Sequence, residues 1–191
     1  RPLMAAATSV ERFGLSPLIR YTLLSLYLAL VLPLPMLAPA GLRGWMVAGL
    51  VLGMLLVMGL LSEQVEIDTE GIRVLYPAWI RWLFRRGWCM AWSDIRALVP
   101  VGTSQGGMVY YLKAANRKHQ LLPQRIERFD RFLKLLQERS VVNTQGIGRL
   151  TPPWTYQLLA VMAVLMVMAE LVATLAVTQG WIILQAGFPG V

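Results

Sequence analysis

Three long apolar runs, over residues 18–37, 45–61 and 154–177, constrain this chain more than any other feature of its sequence. A helix must supply about 20 consecutive, mainly apolar residues to cross the hydrocarbon core of a bilayer. Of the 191 residues, 57% are hydrophobic. Soluble domains contain about 45–50%, and the three runs hold the excess. The sequence therefore predicts an integral membrane protein with three transmembrane helices.

The first two runs are predicted to form a helical hairpin. Ser16 and Pro17 are a favourable helix start, because a serine cap is followed by a proline in the first helical position. Pro33 and Pro35 are expected to kink the far end of this helix. A tight turn over residues 39–44 then leads into the second span.

Two features inside the spans are candidates for transmembrane packing. Gly49 and Gly53 form a G-x-x-x-G pattern in the second run, which lets two helix backbones approach closely. Glu170 is the only acidic residue inside a span. Because an unpaired carboxyl group in lipid is costly, we expect Glu170 either to face a partner helix or a pigment, or to reach water at the end of its span.

Basic residues are distributed unequally about the spans. Fourteen lysines and arginines lie within residues 62–150, and Arg1, Arg12 and Arg20 precede the apolar core of the first span. Only Arg43 lies on the opposite side. The positive-inside rule assigns the basic side to the cytoplasm. We therefore expect the N-terminus and residues 62–150 in the cytoplasm and the C-terminus on the lumenal side.

The polar segment 62–150 is predicted to be one small domain, so that the whole chain is an α+β membrane protein. Residues 1–61 then form an N-terminal tail and the hairpin, and residues 151–191 form the third span and a C-terminal tail. Apolar residues at three- and four-residue spacing from Ile126 to Leu136 predict an amphipathic helix at the end of the domain. Period-two alternation and turn residues predict strands over residues 65–68, 72–76, 87–92, 95–101, 108–113 and 119–122.

Two short motifs carry a family resemblance. The segments EIDTEGIR (residues 66–73) and AWSDIR (residues 91–96) resemble the hairpin and W-x-D-I motifs of bacterial membrane-anchored pleckstrin-homology-like (PH-like) domain proteins. A two-helix hairpin that runs into such a domain is similar to the layout of the ycf-four-type photosystem I assembly proteins of cyanobacteria and chloroplasts. This resemblance extends over residues 21–139. It implies a PH-like β-barrel with a C-terminal helix between spans two and three, whereas the third span departs from that family.

Residues 79–92 hold four of the seven tryptophans and three arginines. Both residue types are enriched at membrane interfaces and in binding hot spots. Trp88 and Trp92 lie on predicted strands, and we expect them in the core. The residues nearer the predicted loop are expected to contact a protein partner or anionic lipid headgroups. These candidate contact residues are Trp79, Arg81, Trp82, Arg85 and Arg86.

Catalytic and metal chemistry find little support in the sequence. Cys89 is the single cysteine, and we expect it to be a small core residue. His119 is the single histidine, and we expect it on the solvated surface. No phosphate loop, catalytic triad or metal-binding constellation is recognisable. We therefore expect no enzyme activity, no metal and no cofactor, while contact with a pigment is left open.

A non-catalytic membrane scaffold or assembly factor is the leading functional prediction. Its expected partners are the lipid membrane and the subunits of a larger membrane complex. The resemblance implies photosystem biogenesis in the cyanobacterial thylakoid, with photosystem I or II undecided. The alternatives are a membrane-anchored lipid-binding PH-like module and an accessory subunit of a membrane enzyme or transporter. Residues 62–150 carry 14 basic and 8 acidic residues, but the positive-inside bias explains this charge, so nucleic acid is not an expected partner.

Overall fold

The computed structural model describes residues 10–83, 86–104, 106–149 and 151–180. The helices in this part of the chain are α1 (Pro17–Val31), α2 (Leu34–Leu37), α3 (Ala40–Leu60), α4 (Ala78–Leu83), α5 (Phe129–Arg139) and α6 (Pro153–Thr178). The strands are β1 (Glu11–Gly14), β2 (Gln64–Ile67), β3 (Gly71–Leu75), β4 (Trp88–Ala91), β5 (Ile95–Gly102), β6 (Met108–Ala114) and β7 (His119–Leu121).

Three helical segments are long and apolar enough to cross a membrane, as the sequence predicts. They are Pro17–Leu37, which comprises α1 and α2, then Ala40–Leu60 and Pro153–Thr178. The first is interrupted at Leu32 and Pro33, in the region where the prolines predict a kink. The third runs parallel to the first, since Thr22 bonds to Tyr156 near one end and Thr174 approaches Met36 near the other.

The predicted turn over residues 39–44 is wrong, because α3 already begins at Ala40. The carbonyl of Pro39 accepts hydrogen bonds from the backbone N–H groups of Leu42 (2.9 Å) and Arg43 (3.1 Å), which closes the first helical turn. Proline is well tolerated at the edge of a first turn, since the N–H that it lacks would have no partner there. The glycines at 41 and 44 therefore lie on the helix, and the connection between the first two spans is shorter than expected.

The polar segment forms two antiparallel sheets. Strands β1 to β4 make one sheet in the order β1-β2-β3-β4, and β5 to β7 make the other in the order β5-β6-β7. Six of these strands match the six predicted from alternation, with ends that differ by a few residues. The α+β class with antiparallel sheets is therefore confirmed.

Strand β1 was not predicted, and it changes how the domain is connected. It precedes the transmembrane hairpin, yet it pairs with β2, which follows the hairpin, so that Phe13 lies opposite Val65. Four residues are too few for a clear period-two signal, and the partner strand is about 50 residues away along the chain. The hairpin is thus an insertion between two neighbouring strands of one sheet.

A single hydrophobic core lies between the sheets and α5. Three phenylalanines dominate it: the rings of Phe13 and Phe132 meet edge-to-face with centroids 5.9 Å apart, and those of Phe129 and Phe132 stack at 6.0 Å. All three are almost completely buried. The other large, fully buried members of this core are Val65, Ile67, Ile72, Ile95, Leu112, Leu122, Ile126 and Leu136.

The predicted start of the amphipathic helix at Ile126 is three residues too early. Ile126 instead forms a β-bridge with Leu15, and Arg128 takes a left-handed backbone conformation (φ 49°) immediately before α5 begins at Phe129. Ile126 is nevertheless buried in the core, on the side that its spacing predicts. The periodic pattern predicts the buried residues correctly. The helix begins three residues later than predicted because Ile126 and Glu127 pair with residues at the end of β1.

The two family-like motifs lie against each other in space. The indole N–H of Trp92 donates to the backbone oxygen of Asp68 (3.0 Å), and the backbone N–H of Trp92 donates to Glu70 (3.1 Å). Gly71 lacks a Cβ where the backbone oxygen of Met90 passes, so only glycine fits there without displacing the chain. The sequence predicts Trp92 on a strand, but it lies in a short 3₁₀ turn. Trp88 and Trp92 both pack on the core, and both are partly exposed.

We expect Phe13→Ala to lower the free energy of unfolding of the full chain by about 3–5 kcal/mol, because it removes a fully buried ring from the core. Val10→Ala is the control on the same segment, since Val10 is 46% exposed and should change stability by less than about 0.5 kcal/mol. Chemical unfolding in mild detergent, followed by tryptophan fluorescence, measures both. Equal stabilities of the two variants would contradict the inclusion of β1 in the core.

Candidate functional site

A short helix, α4, occupies the place where the sequence predicts a loop. It begins after Pro77, whose carbonyl accepts the backbone N–H of Arg81 (3.0 Å). Ile80 is completely buried, and it lies with Trp79 against Gly59 in the last turn of α3. A Cβ at Gly59 would overlap both side chains. Helix α4 is therefore docked directly on the end of the second apolar helix.

The structure brings most of the predicted contact residues together on and beside α4. Trp82 is 85% exposed and Trp79 is 46% exposed. Arg81 on the same helix and Arg86 just after it are also exposed. Arg85 lies outside the described residues. Trp82 is thus exposed, as the sequence predicts, whereas Trp79 is partly covered because it packs on Gly59.

A groove of about 840 Å³ separates α4 from strands β3 and β4, and we call it the α4 groove. Its lining contains three arginines and two tryptophans, and the described lining residues include no carboxylate. The groove is therefore positively charged, with aromatic rings on its walls. The lining residues are Arg73, Val74, Leu75, Tyr76, Ala78, Arg81, Trp82, Arg86, Gly87, Trp88 and Cys89.

The three arginines of the α4 groove differ in their pairing. Arg73 lies 3.3 Å from the carboxylate of Asp68 and 3.7 Å from that of Glu70. Hydrogen bonds from the backbone N–H groups of Gly71 and Glu70, with the charge of Arg73, hold the pKa of Asp68 below its usual range, so Asp68 is ionised at neutral pH. Arg81 and Arg86 form no ion pair with any carboxylate in the described part of the chain.

The expectation that Cys89 is a core residue is wrong, because its side chain is exposed. Cys89 lies on β4, opposite Arg73, and side chains alternate between the two faces of a strand. Its neighbour Met90 points into the core, so Cys89 must point out of it. His119 is exposed, as expected, although it lies on β7. Among the described residues, no group of three histidines, cysteines or carboxylates is placed to hold a metal ion.

The two glycines of the G-x-x-x-G pattern in the second span have different surroundings. Gly53 lies against Tyr27 of the first span, and a Cβ there would overlap the tyrosine hydroxyl. That hydroxyl donates a hydrogen bond to the backbone oxygen of Leu50 (2.8 Å). Apart from the backbone of its own helix, no atom of the described residues lies within 4 Å of the place where a Cβ of Gly49 would be. Gly53 therefore packs α3 on α1, and Gly49 is not part of that contact.

Glu170 lies on the side of α6 that faces the first span. Ala163, two turns earlier, is completely buried on this side, and Thr174, one turn later, lies 3.9 Å from the sulfur of Met36. The Oε2 atom of Glu170 is buried and has no hydrogen-bond partner among the described residues. The carboxyl group is thus enclosed largely by the chain's own helices, and its contact with a partner helix stays a prediction.

Local sequence patterns did not predict the docking of α4 or the glycine that permits it. A usable signal was present, since Pro77 is a common residue next to a helix start, and Ile80 and Leu83 stand at three-residue spacing behind it. Gly59 gave no such signal, because glycine is frequent in membrane helices. Only the contact with Trp79 and Ile80 distinguishes it from the other glycines of the span.

Comparison with known proteins finds one clear relative. A protein of the cyanobacterium Synechocystis sp., described as uncharacterized protein slr0269, is 42% identical over 153 residues, which is 77% of this chain and 77% of the relative. No protein-family model matches the chain. No solved structure matches it.

We expect Ile80→Ala to destabilise the full chain by about 2–5 kcal/mol, because Ile80 is buried between α4 and the second span. Trp82→Ala is the matched control on the same helix and should change the free energy of unfolding by less than about 0.5 kcal/mol, since its ring is exposed. Thermal unfolding in detergent tests both variants. The opposite order of stabilities would mean that α4 is rotated about its axis.

Proposed function

The chain belongs to the family of the cyanobacterial protein slr0269, and we propose that it is a non-catalytic membrane scaffold that assists the assembly of a larger membrane complex. In this proposal the spans lie beside the helices of the complex, while the cytoplasmic domain holds a surface of that complex. The process we propose is photosystem biogenesis in the thylakoid.

The observation that carries the proposal is the stiff connection between the domain and the first span. Only Leu15 and Ser16 separate β1 from α1. The backbone N–H of Ser16 donates to Arg125 (3.0 Å), and that of Glu127 donates to Gly14 (2.9 Å). A domain held in this way has a defined height and orientation relative to the spans. A scaffold needs this property, whereas a domain on a flexible linker would lack it.

Two further connections make the same point. The second span ends at Leu60 and β2 begins at Gln64, so three residues join them. The span that follows the domain packs on the first span, since the hydroxyl of Thr22 in α1 donates to the backbone oxygen of Tyr156 in α6 (3.2 Å). The domain is thus joined directly to the first two spans, which supports a rigid presentation of the cytoplasmic surface.

Strand order supports a PH-like domain as part of the proposal. A sheet of four antiparallel strands, a second sheet of three and a closing helix share one core, and this supports a PH-like β-barrel with a C-terminal helix. The transmembrane hairpin would then be inserted between the first two strands of that domain. This placement explains how a PH-like domain can be fixed to a membrane by its own β-sheet.

The outer sides of the second and third spans supply the surface for a partner. Large apolar side chains on α3 and α6 are more than half exposed, among them Leu52, Leu165 and Val172. In a bilayer these sides meet either lipid tails or the helices of another protein. The cyanobacterial origin of the relative agrees with a photosystem as that partner.

We expect the affinity-tagged full chain, extracted from cyanobacterial membranes in mild detergent, to co-purify with subunits of one photosystem or its assembly intermediate. Mass spectrometry of the co-eluting chains measures this. The same tag on an unrelated membrane protein is the control for non-specific recovery. Recovery of the chain with no photosystem subunit above that control would contradict the proposed process.

We propose a topology with the N-terminus and the polar domain in the cytoplasm and the C-terminus in the lumen, and Cys89 allows a direct test. It is the single cysteine and it is exposed. A membrane-impermeant maleimide should label it in thylakoid vesicles whose cytoplasmic face is outward. In a Cys89→Ser background, Leu42→Cys at the opposite end of the hairpin should be labelled only after the vesicles are opened. The reverse labelling pattern would invert the topology.

A further inference from the structure

We infer that the α4 groove binds the anionic headgroup of a membrane lipid in the cytoplasmic leaflet. The ligand class is a phospholipid or sulfolipid with a net negative charge. This inference goes beyond the scaffold role and does not depend on it, because the groove would hold a lipid whichever complex the protein serves.

The position of the groove is the first argument. Gly59 lies in the last turn of the second span, and α4 packs directly on it. The groove on the other side of α4 is therefore within about 10 Å of the span, the diameter of one helix. When the second span crosses a bilayer, its last turn lies at the edge of the hydrocarbon core, so the groove beside it lies near the headgroup layer.

Charge is the second argument. Some arginines of the domain are paired, since Arg12 lies 2.7 Å from Glu66 and Arg131 lies 2.8 Å from Glu11. Arg81 and Arg86 line the α4 groove, and neither is paired with a carboxylate among the described residues. Guanidinium groups bind phosphate and sulfonate oxygens through two parallel hydrogen bonds. Two such groups at one opening suit a single anionic headgroup.

Exposed tryptophan is the third argument, and it favours a lipid over a soluble anion. Trp82 is 85% exposed at the rim of the groove, and Trp79 is 46% exposed on the adjoining turn. Exposing such large rings to water is unfavourable, whereas indole rings are stabilised at the level of the headgroups. A soluble phosphate would use the arginines but would leave the ring of Trp82 uncovered. A lipid covers that ring with its glycerol and acyl carbons.

The size of the groove agrees with this occupant. Binding sites for small molecules have volumes of about 300–1,000 Å³. The α4 groove, at about 840 Å³, has room for a headgroup and the glycerol backbone. Arg73 lies on β3, where Asp68 and Glu70 hold it, so it is placed to fix the shape of the site while Arg81 and Arg86 contact the anion.

Native mass spectrometry of the delipidated full chain in detergent, titrated with phosphatidylglycerol and with phosphatidylcholine, tests the inference. We expect the parent protein to retain phosphatidylglycerol at least tenfold more strongly than phosphatidylcholine. Each basic residue near a membrane contributes about fivefold to the binding of anionic lipid. Arg81→Gln combined with Arg86→Gln should therefore weaken the binding of phosphatidylglycerol roughly 10- to 30-fold. Each single substitution should give an intermediate loss.

The matched control combines Arg96→Gln with Lys113→Gln. It removes the same two charges from exposed positions on the other sheet, outside the α4 groove. We expect it to change phosphatidylglycerol binding by less than twofold, because neither charge lines the groove. Circular dichroism and size-exclusion chromatography in detergent establish that each variant is folded.

Three results would overturn the inference. The first is an equal loss of phosphatidylglycerol binding in the control pair and in the groove pair, since the effect would then be one of net charge. The second is a folded groove pair that binds as the parent does. The third is displacement of phosphatidylglycerol by glycerol 3-phosphate at equal concentration, since the occupant would then be a soluble phosphate and the tryptophans would have no part in binding.

Discussion

The pairing of β1 with β2 is the contact on which the rest of the structure depends. It places Phe13 in the core, where its ring meets Phe132 of α5. The same strand enters α1 after two residues, so the core of the domain and the start of the first span are one continuous piece of structure. Burial of one large ring contributes a few kcal/mol, which is a sizeable share of the stability of a small domain. Loss of this pairing would therefore open the core and release the domain from the start of the first span.

Polar contacts around β1 reinforce this arrangement. Arg131 of α5 forms an ion pair with Glu11 (2.8 Å), and this hydrogen bond holds the pKa of Glu11 below its usual range. Arg128 donates to the backbone oxygen of Arg12 (3.0 Å) and lies over the ring of Phe13, 5.2 Å from its centre. These groups are largely exposed, so each contact adds little stability by itself. Together they position α5 along the strand and determine where the helix begins.

Where the second span ends, one glycine links it to the candidate site. Gly59 permits α4 to rest on the second span, and this contact leaves Arg81 and Trp82 free at the surface. The stiffness of both connections supports the scaffold role, and the packing of α4 on the last turn of the second span supports the lipid site. Both ideas rest on the same physical fact, which is that the domain is fixed to its helices by short, hydrogen-bonded or closely packed joints.

The sequence by itself determined the three apolar helices, six of the strands and the buried side of α5, because apolar periodicity and span length are local properties of the chain. It also identified Trp82 as exposed, since the residue stands outside the alternating pattern. Tertiary structure alone decided the pairing of β1 with β2, the packing of Gly59 on α4 and the outward direction of Cys89. These depend on contacts between distant segments or on the register of an edge strand, and a one-residue shift in register reverses every side chain. The composition of the α4 groove belongs to the same group, because its arginines and tryptophans are brought together by the docking of a helix that local spacing only suggested.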